Sequence, residues 1–93
     1  MTIVIATIKV QEEKVEEATT FFKKLAADVK ANEPGTLVYT LNQRKDDPTV
    51  FMAYEKYESD QALGIHSQNL GKKAADFGAL LAGPAEIVIL DEI

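Results

Sequence analysis

The fold is decided by one stretch, Pro48–Gln68, with the sequence PTVFMAYEKYESDQALGIHSQ. Its first half is rich in β-branched and aromatic residues and carries large apolar groups on both faces, which predicts a buried β-strand. Ser59 is a typical helix N-cap and opens a helical pattern. The strand ends with Glu55 and Tyr57, and the helix carries the single histidine of the chain, His66. The residues best able to do chemistry therefore lie on two adjoining elements.

Hydrophobic periodicity predicts the remaining elements. They are a strand at Thr2–Val10, a helix at Gln11–Asn32, a strand at Thr36–Arg44, and a last strand at Ala85–Leu90. The helix that starts at Ser59 is expected to reach Leu81, unbroken or with a break near Ser67–Asn69. Pro34 and Gly35 stop the first helix, with Gly35 giving the turn its conformational freedom. The polar turn Lys45–Pro48 joins two strands into an antiparallel hairpin.

The order β-α-β-β-α-β predicts an α+β, ferredoxin-like fold, with a four-stranded antiparallel sheet and both helices on one face. At 93 residues the chain is expected to form a single domain, residues 1–93. The strands carry apolar side chains on both faces, although two helices can cover only one. A monomer would thus expose a large apolar patch. We therefore predict a homodimer that packs through the open sheet face.

Composition excludes several classes of function. The net charge is −5, so no basic patch is expected for binding nucleic acid or an anionic membrane. There is no cysteine, so neither a disulfide framework nor a thiolate site can form. No apolar run approaches the ~20 residues that span a bilayer, and the N-terminus does not resemble a signal peptide. We expect a cytoplasmic protein.

Five short motifs, in this order and spacing, resemble the antibiotic biosynthesis monooxygenase (ABM) family. They are Gly35-Thr36-Leu37-Val38-Tyr39, Asp47-Pro48-Thr49-Val50-Phe51, Tyr54-Glu55-Lys56-Tyr57, His66-Ser67 and Leu80-Leu81-Ala82-Gly83-Pro84. The resemblance covers nearly the whole chain. It implies a dimeric α/β barrel and the oxygenation of aromatic quinols without metal or flavin. Relatives degrade haem or isomerise small ketones, so family membership does not fix the reaction.

The chain departs from the family pattern at three places. Family members often have Glu-x-Trp where this chain has Glu55-Lys56-Tyr57, and a second histidine where it has Gln68-Asn69. The haem-degrading branch combines Asn, Trp and His, whereas this chain has no tryptophan and has Thr7 where that Asn is expected. These departures argue against haem degradation.

Oxygenation without a cofactor needs a base, hydrogen-bond donors for a developing oxyanion, and a dry apolar cavity. We predict His66 as the base, Tyr57 and Asn42 as donors, and Glu55 as an orienting residue or second base. The predicted substrate-binding residues are Tyr39, Phe51, Leu63 and Phe77. No metal and no cofactor are expected, because no spacing of ligands is typical of a metal motif.

Each assignment has a structural alternative. His66 also fits a hydrogen-bonded residue at the core edge, and Glu55 a salt bridge across the dimer to a cation such as Arg44. Tyrosines at these positions often only pack, and an asparagine beside a hairpin often forms the turn. The predicted function is a small dimeric monooxygenase acting on a hydroquinone-type aromatic. The alternatives are a non-catalytic dimer that binds a small ligand, and an isomerase that uses His66 and Glu55 on a small ketone.

Overall fold

The computed structural model describes all 93 residues, and its elements follow the predicted order. The strands are β1 (Thr2–Lys9), β2 (Thr36–Gln43), β3 (Val50–Tyr57) and β4 (Glu86–Asp91). The helices are α1 (Val15–Asn32), α2 (Asp60–Gly71) and α3 (Ala74–Gly78), and a 3₁₀ turn at Glu12–Lys14 precedes α1.

The strands form one antiparallel sheet in the order β2-β3-β1-β4. Two strands that are distant in sequence, β1 and β3, lie at its centre, and Ala6 of β1 pairs with both Ala53 and Ile87. This arrangement confirms the predicted ferredoxin-like α+β fold.

The core lies between one face of this sheet and the helices. Strand alternation places Ala6 and Ile8 of β1 and Ala53 of β3 on that face, where they meet Phe22 and Leu25 of α1 in one buried cluster. Helix α2 covers the same face nearer the start of β1. The sheet and the helices therefore enclose the space in which the candidate site lies.

The helical region after Ser59 has the second of the two expected forms, two helices with a break. The break comes later than expected, because α2 ends at Gly71 and α3 begins at Ala74. The predicted cap is confirmed, since the Ser59 side chain accepts a hydrogen bond from the Ala62 N–H at 3.1 Å. Glycine is a weak helix former, which is consistent with α2 ending there rather than near Ser67–Asn69.

Gly35 is needed for a reason other than the one predicted. No glycine has a positive φ angle, so the turn after α1 does not require glycine's conformational freedom. A Cβ atom at Gly35 would instead lie 2.8 Å from the Cβ of Ala62. The close approach of this turn to α2 leaves no room for a larger side chain, and it sets the distance between the end of α1 and the helix that carries His66.

None of the helices combines the length and the apolar character that crossing a membrane requires.

Candidate active site

His66 lies on the inner face of α2, one turn after Ala62, and both side chains are buried. The ring of Tyr39 from β2 has its centroid 4.9 Å from that of His66, and the ring of Tyr57 from β3 lies 5.6 Å away. The imidazole is therefore enclosed by the sheet and only 3% exposed. A buried imidazole needs hydrogen-bond partners for its nitrogens.

One partner is Glu33, the C-cap residue that directly follows α1. Its Oε1 lies 2.9 Å from Nδ1 of His66. Asn69 Nδ2 donates to Glu33 Oε2 at 3.3 Å, and Thr36 Oγ1 donates to Oε1 at 3.1 Å. The Glu33 carboxylate is buried, yet all of these contacts hold it in place.

A second carboxylate, Glu55, lies on the other side of the imidazole. Strand alternation places it with Ala53 on the face that the helices cover. The Tyr57 hydroxyl donates to its Oε1 at 2.5 Å. The same oxygen is 3.9 Å from His66 Nε2, which is beyond hydrogen-bond distance. Arg44, the cation named for the alternative ion pair across a dimer, pairs with Asp46 in this chain.

His66 and Glu55 adjoin a cavity of about 450 Å³ between the sheet and the helices. Fifteen of its twenty lining residues are hydrophobic. The polar groups that reach it include His66 and Glu55, which lie together on one wall. A mostly apolar pocket of this size with a few convergent polar groups is typical of a small-molecule site.

The structure brings together five of the eight predicted site residues. The cavity is lined by His66, Glu55, Tyr39, Leu63 and Phe77.

The other three predicted residues do not reach the cavity. Tyr57 is fully buried and holds Glu55 instead of facing a substrate. Phe51 lies on the sheet face that the helices cover, but it packs in the core, with its ring centroid 5.0 Å from that of Phe22. Asn42 pairs with Met52, whose side chain points to the opposite sheet face, and donates to the Met52 carbonyl at 3.1 Å. The geometry therefore does not support Asn42 as an oxyanion donor at this cavity.

Comparison with known proteins shows to which family this chain belongs. The family model described as antibiotic biosynthesis monooxygenase matches residues 1–83. The chain belongs to the ABM family. Among proteins with curated descriptions, none matches this ABM sequence significantly.

Solved structures agree with this assignment. A proposed antibiotic biosynthesis monooxygenase from Caulobacter crescentus CB15 is 40% identical, with a TM-score of 0.92 over 99% of this chain and 89% of that one. PA3566 from Pseudomonas aeruginosa is 26% identical, with a TM-score of 0.88 over 99% and 93%. A proposed antibiotic biosynthesis monooxygenase from Nitrosomonas europaea is also 26% identical, with a TM-score of 0.80 over 100% and 99%.

Two departures from the usual ABM pattern meet at His66. Tyr57, at the position where tryptophan is common, donates to Glu55. Asn69, in the segment where a second histidine is common, donates to Glu33. Both substituted residues therefore bond a carboxylate that flanks the imidazole, one beside each ring nitrogen.

Sequence reasoning missed Glu33 and Asn69 as members of this ABM site. Glu33 directly precedes Pro34-Gly35, and the sequence marks this place only as the end of the first helix. It lies 33 positions from His66 in the sequence, and no local pattern links the two. The one available signal was Asn69 itself, which falls one turn after His66 on the same helix.

The environment shifts the pKa values of three groups in the ABM site. Burial raises the pKa of the Glu55 carboxyl, while the Tyr57 hydrogen bond and a charged His66 oppose that rise. Burial also raises the pKa of the Tyr57 hydroxyl, with a further increase from the hydrogen bond to Glu55. For Tyr39, burial raises the pKa first and the charge of Glu55 second. Both tyrosines therefore remain neutral phenols at physiological pH.

The raised pKa of Glu55 predicts a pH-dependent stability. The folded state binds the Glu55 carboxyl proton more tightly than the unfolded state does. The contribution of this proton to the free energy of unfolding is therefore complete below the ordinary glutamate pKa of about 4.3. It is lost as the pH rises through the raised pKa of the folded protein. Glu55→Gln keeps an acceptor for Tyr57 but cannot ionise. We expect the free energy of unfolding of the variant, relative to the wild type, to increase as the pH rises.

Urea unfolding at pH 4.5 and pH 8, at one protein concentration, measures this difference. Glu13→Gln makes the same change at an exposed residue and is the matched control. A wild type that gains stability over Glu55→Gln between the two pH values would contradict the assigned direction.

No group of three or more His, Asp or Glu side chains is arranged to hold a metal ion.

Proposed function

We propose that this ABM protein is a monooxygenase that needs no cofactor and oxidises a small aromatic hydroquinone with dioxygen. The observation that best supports the proposal is a histidine beside a carboxylate at the wall of an otherwise apolar cavity. Histidine is the side chain whose ordinary pKa suits it to act as a base near neutral pH. The mostly apolar lining of the cavity suits a reaction whose intermediate must be kept from water.

The cavity favours a flat aromatic substrate of modest size. Its volume of about 450 Å³ lies in the lower part of the range for small-molecule sites. Tyr39 and Phe77 offer ring faces or edges to the cavity, and Leu63 offers an aliphatic wall. A naphthalene hydroquinone is therefore the first substrate to test.

The proposed chemistry is balanced for 1,4-dihydroxynaphthalene. His66 takes a hydroxyl proton, and the resulting phenolate passes one electron to dioxygen. The two radicals combine to form a C–O bond at a ring carbon, and the proton on His66 returns to the peroxide oxygen. Loss of water, with the ring C–H proton, then breaks the O–O bond and forms a carbonyl group. The immediate product, 4-hydroxy-1,2-naphthoquinone, becomes its tautomer 2-hydroxy-1,4-naphthoquinone when the proton on the O4 hydroxyl moves to O2, and the second product is water.

Oxygen uptake by the metal-free, flavin-free protein tests the proposal. Naphthalene and anthracene hydroquinones are supplied in turn, and each rate is compared with the autoxidation rate of the same compound. Uptake well above that rate, saturating with substrate, is the expected result. Rates equal to autoxidation for every compound would contradict the proposal.

A second candidate activity is proton transfer on a small ketone. It is favoured by the position of Glu55, whose Oε1 lies 3.9 Å from His66 Nε2, so that two acid–base groups face one cavity. Such an isomerase would exchange substrate protons with solvent equally well with and without dioxygen. The monooxygenase would do nothing under anaerobic conditions.

We also propose that the chain acts as a homodimer through the open sheet face. Three large side chains on that face, Tyr54, Val88 and Leu90, are 42–43% exposed. Packing against the same face of a second copy would remove these groups from water.

Val88→Glu is expected to convert a dimer into a monomer, because each copy would bury an unpaired charge in the proposed interface. Ile65→Glu places the same charge at an apolar residue of α2 that is 51% exposed, and it should remain dimeric. Sedimentation velocity at micromolar concentration measures all three proteins. A wild type that sediments as a monomer would contradict the proposed dimer.

A further inference from the structure

We infer that Glu33 is a positioning residue that holds a proton on Nδ1 of His66 and thereby leaves Nε2 free to act as the base. The catalytic meaning of this inference rests on the function proposed above. The position of the proton on the imidazole does not rest on that function, and it can be measured without any turnover.

The two carboxylates flank different nitrogens at different distances. Glu33 Oε1 is 2.9 Å from Nδ1, whereas Glu55 Oε1 is 3.9 Å from Nε2. A neutral imidazole carries one N–H, and only the contact with Glu33 is short enough for a hydrogen bond. Donation from Nδ1 leaves a lone pair on Nε2, on the side of Glu55.

The contacts of Glu33 are those of an ionised carboxylate. The Thr36 hydroxyl and the Asn69 amide both donate to it, in addition to the imidazole. An ionised carboxylate only accepts, so it matches three converging donors. When His66 takes a proton from a substrate, the imidazolium is then paired with a negative charge that is already in place.

Glu55 could compete with Glu33 for a hydrogen bond from the imidazole, but its other contacts make it the weaker acceptor. Its Oε1 already accepts from Tyr57, and burial raises the pKa of its carboxyl. The titratable groups that face the imidazole are Glu33 from the end of α1, Glu55 and Tyr57 from β3, and Tyr39 from β2. Among them, only Glu33 makes a hydrogen bond to the ring.

Glu33 lies outside the cavity, which separates positioning from contact with substrate. His66 lines the cavity, but Glu33 lines two surface clefts instead. One of these clefts is bounded by Asn69 and Lys73 between α1 and α2. Glu33 therefore acts through His66 and not on the reacting atoms.

Nitrogen NMR of the wild type tests the inference directly. The chain has a single histidine, so a ¹⁵N-labelled sample gives one imidazole pattern with no assignment problem. Above the pH at which the ring becomes neutral, we expect a protonated Nδ1 and an unprotonated Nε2. A protonated Nε2, directed at Glu55, would overturn the inference whether or not the protein takes up oxygen.

Two variants separate positioning from a purely structural role. In Glu33→Leu the remaining acceptor is Glu55, so the proton is expected to move to Nε2. In Glu33→Gln the side chain loses its negative charge but keeps an oxygen that can accept from Nδ1, so the proton is expected to stay on Nδ1. Glu13→Gln is the control for both. An unchanged Nδ1 proton in Glu33→Leu would overturn the inference, and the wild-type spectrum remains decisive if that variant does not fold.

Kinetics then connect positioning to the proposed reaction. Glu33→Gln is expected to lower kcat by about 10²-fold or more, with little change in KM, because the substrate does not touch Glu33. A wild type that consumes no oxygen but shows the Nδ1 proton would refute the proposed function and leave the positioning of His66 intact. An unchanged kcat in an oxygen-consuming Glu33→Gln variant would refute the positioning role.

Discussion

Replacing His66 by glutamine is expected to lower kcat/KM for a naphthalene hydroquinone by about 10²- to 10⁴-fold, the usual contribution of a general base. Glutamine keeps a hydrogen-bonding side chain of similar length that can still bond Glu33, so the loss reports the missing base. The measurement is the initial rate of oxygen uptake, with the autoxidation rate subtracted.

Gln68→Ala is the matched control, because Gln68 is exposed on the same helix and does not line the cavity. It should retain the wild-type rate. If His66→Gln keeps the wild-type kcat and changes only the affinity for the hydroquinone, then His66 contributes to binding and is not the base.

The largest expected effect on stability is that of Phe22→Ala, which should lower the free energy of unfolding by about 3–5 kcal/mol. Phe22 is 2% exposed, and its ring contacts three others, with centroid distances of 5.7 Å to Phe21, 5.0 Å to Phe51 and 6.0 Å to Phe77. Truncation would remove buried apolar area and leave a void between α1 and the sheet. Urea unfolding at one protein concentration measures the change.

Phe22→Leu is the control for this loss, since it keeps an apolar side chain and should cost less than about 1.5 kcal/mol. A cost below about 1 kcal/mol for Phe22→Ala would show that the aromatic cluster does not hold α1 on the sheet.

Most of the fold was predictable because its signals are local. The order of strands and helices follows from periodicity, and the cap at Ser59 follows from one side chain and one backbone N–H. The reason for Gly35 was not predictable, because it depends on Ala62, which approaches only after α2 packs against the turn.

Strand alternation explains the outcome for the strand residues of the site. Glu55 and Tyr39 share the face toward the helices, and both line the cavity. Phe51 shares that face but lies four residues from Glu55, about 13 Å along the strand. Asn42 alternates with Tyr39 and Leu41, so its position on the other face could have been inferred from the sequence alone.

The partner of His66 could not be predicted in this way. Glu33 reaches the imidazole only because the close turn at Gly35 brings the end of α1 against α2. Sequence therefore pointed to His66, the proposed base, while only the fold reveals the carboxylate that is bonded to it.

The most direct test is to supply ¹⁸O₂ and 1,4-dihydroxynaphthalene to metal-free, flavin-free protein and to determine where the label goes. A monooxygenase that works through His66 predicts one labelled oxygen atom in each 2-hydroxy-1,4-naphthoquinone molecule and one in water, with His66→Gln forming almost none of the labelled product. Label found only in hydrogen peroxide, or product formed equally by both proteins, would contradict the proposed reaction.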